Sequence, residues 1–184
     1  MTLFPTLTTA TKRLARITVL FGLLLTASMI APPAEGQGYH VGLLGGVGGA
    51  VDGDPFDHRS IEAQFGYQRG IRDLVMVRIG QLDLDSSDDL FAFDGELTWL
   101  TVSSEYRLPE DFYLSGIFFG LGYFQRRGDL GLADDEGVGV TLGINGEFAI
   151  TERWGVLLQL SGYWADLDDE QGWTTAMAGV TFSF

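Results

Sequence analysis

The chain ends in the stretch WTTAMAGVTFSF, residues 173–184, and this stretch decides the fold class. One face of the stretch is apolar and consists of Phe184, Phe182, Val180, Ala178 and Ala176. The residues between them are mostly small or polar, which is the pattern of a β-strand whose two faces meet different surroundings. In a soluble sandwich the apolar face packs against a second sheet, whereas in a membrane barrel it contacts lipid. The rest of the chain distinguishes the two arrangements.

The same alternation returns along the chain after residue 38, and no segment there shows the 3.6-residue period of an amphipathic helix. The alternating segments are about 9–13 residues long, a length that suits tilted strands crossing a membrane. We therefore predict eight strands, at residues 39–51, 61–69, 74–82, 96–108, 112–125, 138–150, 154–165 and 173–184.

The connections between the predicted strands alternate in length. Three are short enough for hairpin turns, namely GIRD, PED and TER. The other four are longer and acidic, namely DGDPFDHRS, DLDSSDDLFAFDG, RGDLGLADDEG and DLDDEQG. Short turns at one rim and long loops at the other are typical of outer-membrane barrels, in which the short turns are periplasmic and the long loops lie outside.

Charged side chains are sorted by strand parity, and this is the strongest indication of a membrane barrel. No charged residue falls in the middle of a strand on the predicted lipid-facing side, where an arginine would cost roughly 2–4 kcal/mol. A soluble sandwich with two dry inner faces would not tolerate the charges on the opposite side. We predict an all-β fold, an eight-stranded antiparallel up-and-down transmembrane β-barrel formed by residues 37–184.

The inward-facing charges predict a polar network inside this barrel. Eight strands leave an interior filled by side chains rather than an open channel, and a buried charge is tolerated mainly when it is paired. We expect an inert polar plug; a gated path for protons or ions is the alternative. The predicted members of the network are Glu62, Arg78, Glu105, Arg107 and Glu147.

Residues 1–36 have the pattern of a secretory signal peptide. Lys12, Arg13 and Arg16 precede an apolar run at residues 17–30, and small residues and prolines follow. The run is shorter than the roughly 20 residues that a spanning helix needs, which disfavours an uncleaved anchor. We predict cleavage after Ala34 or Gly36.

Aromatic residues mark the predicted membrane interfaces. Trp154 and Trp164 lie on the same face of one predicted strand, far enough apart to reach opposite interfaces. We predict an aromatic girdle that also contains Tyr113 and Tyr123.

With its signal peptide, eight alternating segments, aromatic belts and terminal Phe184, the chain resembles the small outer-membrane barrels of the OmpA-like and OmpX-like type. The resemblance covers the whole mature chain and implies a bacterial outer membrane with its lipids as surroundings. In such families the barrel-assembly machinery recognises a last strand that ends in phenylalanine. The resemblance therefore implies that Phe184, together with Phe182, is an assembly signal; a simple lipid anchor is the alternative.

Composition excludes several kinds of function. The chain has no cysteine, so thiolate catalysis, disulfides and cysteine metal sites are absent. Two histidines are too few to favour a multi-histidine metal centre. A net charge of −14 disfavours nucleic-acid binding. We predict no cofactor. The pattern assigns no oligomeric state, because the apolar outer face of a strand can contact either lipid or a second barrel.

Two weaker chemical hypotheses come from the long loops. His58 and Ser60, beside Asp57, have the residue types of a hydrolase triad and suggest a barrel that modifies lipid A, although triad members normally come from separate segments. The acidic loops suit calcium or magnesium, and the metal candidates are Asp83, Asp85, Asp88 and Asp89. None follows an EF-hand pattern, so we expect solvated loops that bridge to surface lipid through loosely bound divalent cations.

The main functional prediction is a non-catalytic outer-membrane protein with a role in envelope integrity, adhesion or surface interaction. The alternatives are a lipid A-modifying acyl hydrolase or transferase and a narrow pore that prefers cations.

Overall fold

The structure is a computed structural model that describes residues 38–52, 56–83, 95–109, 113–128, 135–167 and 172–184. The predicted signal peptide lies outside these ranges. Within them, no helix has the length and apolar composition needed to cross a membrane. The strands are β1 (Gly38–Ala50), β2 (His58–Gln68), β3 (Asp73–Asp83), β4 (Gly95–Pro109), β5 (Tyr113–Gly128), β6 (Asp135–Ala149), β7 (Trp154–Ala165) and β8 (Gly172–Ser183).

The eight strands form a closed antiparallel barrel, as predicted. Each strand pairs with its neighbour in sequence, and β1 pairs with β8 to complete the circle. Three short connections lie at one rim, at residues 69–72, 110–112 and 150–153, and we call this rim the turn end. Four longer connections lie at the other rim, which we call the loop end, at residues 51–57, 84–94, 129–134 and 166–171.

Three strands extend three residues further toward the loop end than predicted. β2 begins at His58, β5 ends at Gly128 and β6 begins at Asp135. The backbone ladder continues there after the apolar alternation has stopped, because hydrogen bonds between strands do not require apolar side chains. Hydrophobic periodicity therefore marks the membrane-embedded part of each strand rather than the whole strand.

The pairing register fixes the tilt of the strands. A path from partner to partner around the barrel starts at residue 40 of β1 and returns to β1 at residue 50. A shift of this size over eight strands corresponds to a tilt of about 40° from the barrel axis, at roughly 3.3 Å per residue and 4.8 Å between strands. The path runs through His40, Gly66, Met76, Ser103, Gly120, Thr141, Tyr163, Trp173 and Ala50.

The two faces of the wall differ as the alternation predicts. Large apolar side chains such as Ile79, Leu121 and Ile144 are exposed on the outside. On β5, Ile117 points outward and is exposed, whereas its neighbour Phe118 points inward and is buried. The outer surface thus presents the apolar band that a bilayer requires.

The loop-end half of the interior is apolar. Its side chains form one cluster, which we call the apolar plug, and every member is almost completely buried. Aromatic packing is prominent, since the rings of Trp99 and Tyr163 lie 4.8 Å apart and those of Phe124 and Tyr163 lie 6.0 Å apart. The plug consists of Leu82, Leu97, Trp99, Phe124, Tyr163, Ala165, Leu167 and Trp173.

Gly80 of β3 makes room for one member of the plug. A Cβ at this position would overlap the indole ring of Trp99, so Gly80→Ala is expected to destabilise the barrel by about 1–3 kcal/mol through overpacking. Reversible urea unfolding in lipid vesicles would measure the change. Gly45→Ala is the matched control, because a Cβ there meets only a backbone oxygen 4.0 Å away. Equal effects of the two substitutions would contradict the proposed contact.

Candidate functional site

The five residues of the predicted polar network all point into the barrel and are all buried. They come from β2, β3, β4 and β6, on the inward parity of each strand. In this chain the interior is therefore the place where charged side chains meet.

Glu105 lies between the two arginines. Arg78 donates from Nη2 to Glu105 Oε2 at 3.0 Å, and Arg107 donates from Nε to Glu105 Oε1 at 2.8 Å. Arg107 Nη2 also lies 3.4 Å from Glu147 Oε2. Arg78 further donates to the Ser103 hydroxyl. Each guanidinium is thus held by charge-assisted hydrogen bonds in a setting that excludes water.

Glu62 is stabilised mainly by neutral donors. Trp99 Nε1 and the Tyr163 hydroxyl donate to Glu62 Oε2 at 2.9 and 3.1 Å. The side-chain amides of Gln64 and Gln159 donate to Glu62 Oε1, each at 2.9 Å. Arg78 Nε lies 3.8 Å from the same carboxylate. Four hydrogen bonds replace the hydration that this carboxylate loses on burial.

His40 belongs to the network at the turn end and was not among its predicted members. Its Nδ1 lies 3.1 Å from Ser183 Oγ, and its Nε2 lies 4.0 Å from Glu147 Oε1. The Thr181 hydroxyl donates to the same carboxylate. The inward parity of His40 on β1 was the available signal, but its partners Glu147 and Ser183 come from β6 and β8, which no local pattern connects to β1.

The network and the apolar plug together fill the barrel. Trp99 and Tyr163 belong to the plug and also bind Glu62, so the two layers are joined. The guanidinium of Arg78 lies 3.9 Å from the centre of the Phe118 ring, which adds a cation–π contact to the middle layer. The arrangement is suited to holding eight strands in one register, because its contacts join side chains from different strands.

Comparison with known proteins supports the architecture. No family model and no curated protein matches the chain. Solved structures do match. Neisserial surface protein A is 15% identical with a TM-score of 0.60, and the match covers 80% of this chain and 95% of that one. The N-terminal β-barrel domain of Pseudomonas aeruginosa OprF is 14% identical with a TM-score of 0.55, over 83% and 100% of the two chains. Ail, the attachment invasion locus protein of Yersinia pestis, is 14% identical with a TM-score of 0.52, over 82% and 100%.

The chain has the fold of the small outer-membrane β-barrels. Identities of this size establish the fold and leave the activity to be argued from the residues. Together with its apolar outer band, the fold places the barrel in a bacterial outer membrane, in contact with lipid.

The interfaces of this outer-membrane barrel carry aromatic side chains. Trp154 at the turn end and Trp164 at the loop end are both about half exposed on the outer wall. The Tyr123 hydroxyl donates to Glu136 near the loop end. The Tyr113 side chain lies outside the described part of the chain. The girdle role of these four residues stays a prediction.

Phe184 and Phe182 lie at the seam where the barrel closes. The Tyr39 amide donates to the Phe184 carbonyl at 2.8 Å, and the Phe184 amide donates to the Tyr39 carbonyl at 3.0 Å. The Phe184 ring stacks on Tyr39 and Phe182, at 5.6 and 5.9 Å between centroids, and Trp154 packs on Phe182. The terminal residue is therefore paired through its backbone while its ring stays largely exposed.

The candidate hydrolase residues were expected in the first long loop, and that placement was wrong for His58 and Ser60, whereas Asp57 lies in the loop. His58 and Ser60 belong to β2, because backbone pairing with β1 continues to residue 58. Ser60 is buried, and its hydroxyl contacts the Gln81 carbonyl oxygen at 3.2 Å and the Met177 sulfur at 3.6 Å. Asp57 is exposed. No nucleophile and base are hydrogen-bonded to each other among these three residues.

The candidate metal ligands are only partly placed. Asp83 ends β3 and is exposed, whereas Asp85, Asp88 and Asp89 lie outside the described residues. In the described ranges, no group of three or more His, Asp or Glu side chains is arranged to hold a metal ion.

Proposed function

We propose that this outer-membrane barrel is a non-catalytic, non-conducting protein that supports envelope integrity, adhesion or surface interaction through its loop end. The observation that carries the proposal is the filled interior, in which the apolar plug covers a paired ionic network. Moving an ion through it would require displacing buried aromatic side chains and breaking charge pairs, both of which are energetically costly. The interior therefore acts as a rigid scaffold.

Planar-bilayer recording is expected to show no single-channel conductance for the purified, folded barrel. The physical reason is that the apolar plug places Trp99, Phe124 and Trp173 in the interior, where all three side chains are fully or nearly fully buried and would have to move before an ion could pass. A reproducible, cation-selective conductance from folded protein would favour the narrow pore instead.

The same preparation should leave lipid A unaltered in a mass spectrum, with His58→Ala as the comparison. Loss or gain of an acyl chain that depends on His58 would overturn the non-catalytic proposal. The buried hydroxyl of Ser60 and the absence of a base bound to it support the expected result.

The charge of the loop end limits the partners that it can take. The four connections at this end contain three, four, two and four acidic residues and no lysine or arginine. Ail has been solved with the heparin analogue sucrose octasulfate, a polyanion that the loops of this chain would repel. We propose a cationic partner, or surface-lipid phosphates bridged by loosely bound divalent cations.

Vesicles that carry the folded barrel are expected to adhere to a polylysine-coated surface and not to a heparin-coated one. Since the expected attraction is electrostatic, adhesion should fall as NaCl rises from about 0.1 to about 1 M, where the screening length shortens to roughly 3 Å. Empty vesicles of the same lipid composition are the control. Preferential adhesion to heparin would contradict the proposed charge complementarity.

The remaining proposals concern biogenesis. We propose that residues 1–36 are removed on export, which intact mass spectrometry of the protein from membranes would test.

We also propose that the barrel-assembly machinery recognises Phe184 and Phe182. The exposed ring of Phe184, on a strand whose backbone is paired, supports this role.

A further inference from the structure

A groove of about 470 Å³ lies in the outer wall of the barrel, across β1 to β5. Its volume falls in the range of roughly 300–1,000 Å³ that small-molecule sites occupy. Its floor is apolar and its members are neighbours in the strand register. The floor consists of Leu43, Ala63, Ile79 and Leu100.

Uncharged polar residues follow this floor on the side of the loop end. Gln81, Thr98 and Gln125 point outward on β3, β4 and β5, line the same groove, and are neighbours in register. One step further along the strands the outward positions are charged, with Asp83 opposite Glu96 and Glu96 opposite Arg127. The wall thus passes from apolar to uncharged polar to charged.

This order matches the layers of one membrane leaflet. Acyl chains contact apolar residues, the linkages between chains and headgroup contact uncharged polar groups, and the headgroup lies among charges. The groove extends from the acyl-chain layer into the layer of the linkages. A molecule that fills it therefore has an acyl chain and a polar linkage. Since the long loops lie outside the cell, the leaflet is the outer one.

The amides in the groove indicate the chemistry of that linkage. Within the described ranges, the side-chain amides of Gln81 and Gln125 make no hydrogen bond, while the Thr98 hydroxyl donates to the Gln125 carbonyl oxygen at 3.4 Å. A carboxamide both donates and accepts, and polar groups facing a lipid environment need partners. The ester linkage of an unsubstituted acyl chain offers acceptors only. A hydroxyacyl chain in amide linkage offers a carbonyl, an N–H and an O–H, which satisfy both amides.

We propose that this groove binds one amide-linked hydroxyacyl chain of lipid A, with the chain on the Leu43–Ala63–Ile79–Leu100 floor and the linkage on Gln81 and Gln125. The groove itself presents no ionised side chain to the linkage, because Glu62, which also lines it, is buried with its carboxylate bound inside the barrel. The groove therefore selects lipid A by its amide linkage rather than by its phosphates. For the same reason the affinity of the groove for lipid A is insensitive to salt.

The test is native mass spectrometry of the folded, delipidated full-length barrel, titrated with purified lipid A and, separately, with phosphatidylglycerol. We expect the wild-type barrel to prefer lipid A. Ala63→Trp fills the groove and is expected to lower lipid A affinity by about tenfold or more. Ala176→Trp is the matched control, because Ala176 faces lipid on β8 between Val47 and Leu160, outside the groove.

A second pair of variants separates the linkage from the shape of the groove. The double substitution Gln81→Leu and Gln125→Leu makes this part of the wall more apolar, which an outward-facing strand position tolerates, and it is expected to lower lipid A affinity to that of phosphatidylglycerol. Thr174→Val on β8 is the control. Heat-modifiable mobility on gels verifies folding of each variant. Equal affinities of wild type for the two lipids, or unchanged lipid A binding by folded Ala63→Trp, would overturn the proposal.

Discussion

Replacing Arg78 with alanine is expected to lower the free energy of unfolding by about 3–5 kcal/mol, because it removes one of the two arginines that bind the buried Glu105 and the arginine nearest to the buried Glu62. Arg78 donates to Glu105 and to Ser103 and lies 3.8 Å from Glu62. Both glutamates are almost completely buried, so water cannot replace the guanidinium without reorganising the interior. Reversible urea unfolding of the barrel in lipid vesicles would measure the loss.

Arg72→Ala is the control for this substitution. Arg72 is exposed in a turn and donates one hydrogen bond, to the Tyr106 hydroxyl at 3.1 Å, so its removal is expected to cost about 0.5 kcal/mol or less. If Arg78→Ala were no more destabilising than Arg72→Ala, the interior would not depend on the ionic network, and the proposed scaffold would be wrong.

Trp99→Ala is expected to destabilise the barrel by about 3–5 kcal/mol. The indole ring is buried in the apolar plug, packs against Tyr163 and covers Gly80, so its removal leaves a cavity. The substitution also deletes the hydrogen bond of 2.9 Å from the indole N–H to Glu62. The same vesicle-based unfolding experiment would report the change, since three other tryptophans keep the fluorescence signal.

A matched pair of phenylalanine substitutions separates the hydrogen bond from the packing. Trp99→Phe removes the donor to Glu62, at an expected cost of about 1.5–3 kcal/mol beyond the packing change. Trp173→Phe makes the same chemical change at a buried position whose Nε1 has no hydrogen-bond partner among the described residues. We expect the first variant to be clearly less stable than the second. The opposite order would show that packing alone gives Trp99 its importance.

Most of the architecture could be predicted because a lipid-facing wall imposes a strict local rule. A strand that separates lipid from a polar interior must alternate at every residue, so parity alone orients side chains such as Arg78, Glu105 and Ile79. The loop-end limits of β2, β5 and β6 were not predicted, because alternation is required only within the membrane. Beyond the membrane, strand pairing continues without apolar side chains. For the same reason His58 and Ser60 were assigned to a loop.

The sequence predicted which residues belong to the polar network better than it predicted which of them contact each other. Alternation identified Glu62 as inward-facing, but its donors Trp99, Gln159 and Tyr163 come from strands 37 to 101 residues away in sequence. Likewise the groove combines residues of five strands. Such contacts depend on register, which no single strand specifies.

The sequence by itself determined that this protein is a closed, lipid-embedded barrel, because the alternation of each strand is a local response to two different solvents. Only the tertiary structure decided which inward residues meet. The shift of ten residues around the barrel brings His40 of β1 beside Glu147 of β6, and the register of β3 against β4 places Trp99 over Gly80. That shift is a property of all eight strands closing together, and it turns a set of inward-facing polar residues into a paired network beneath an apolar plug.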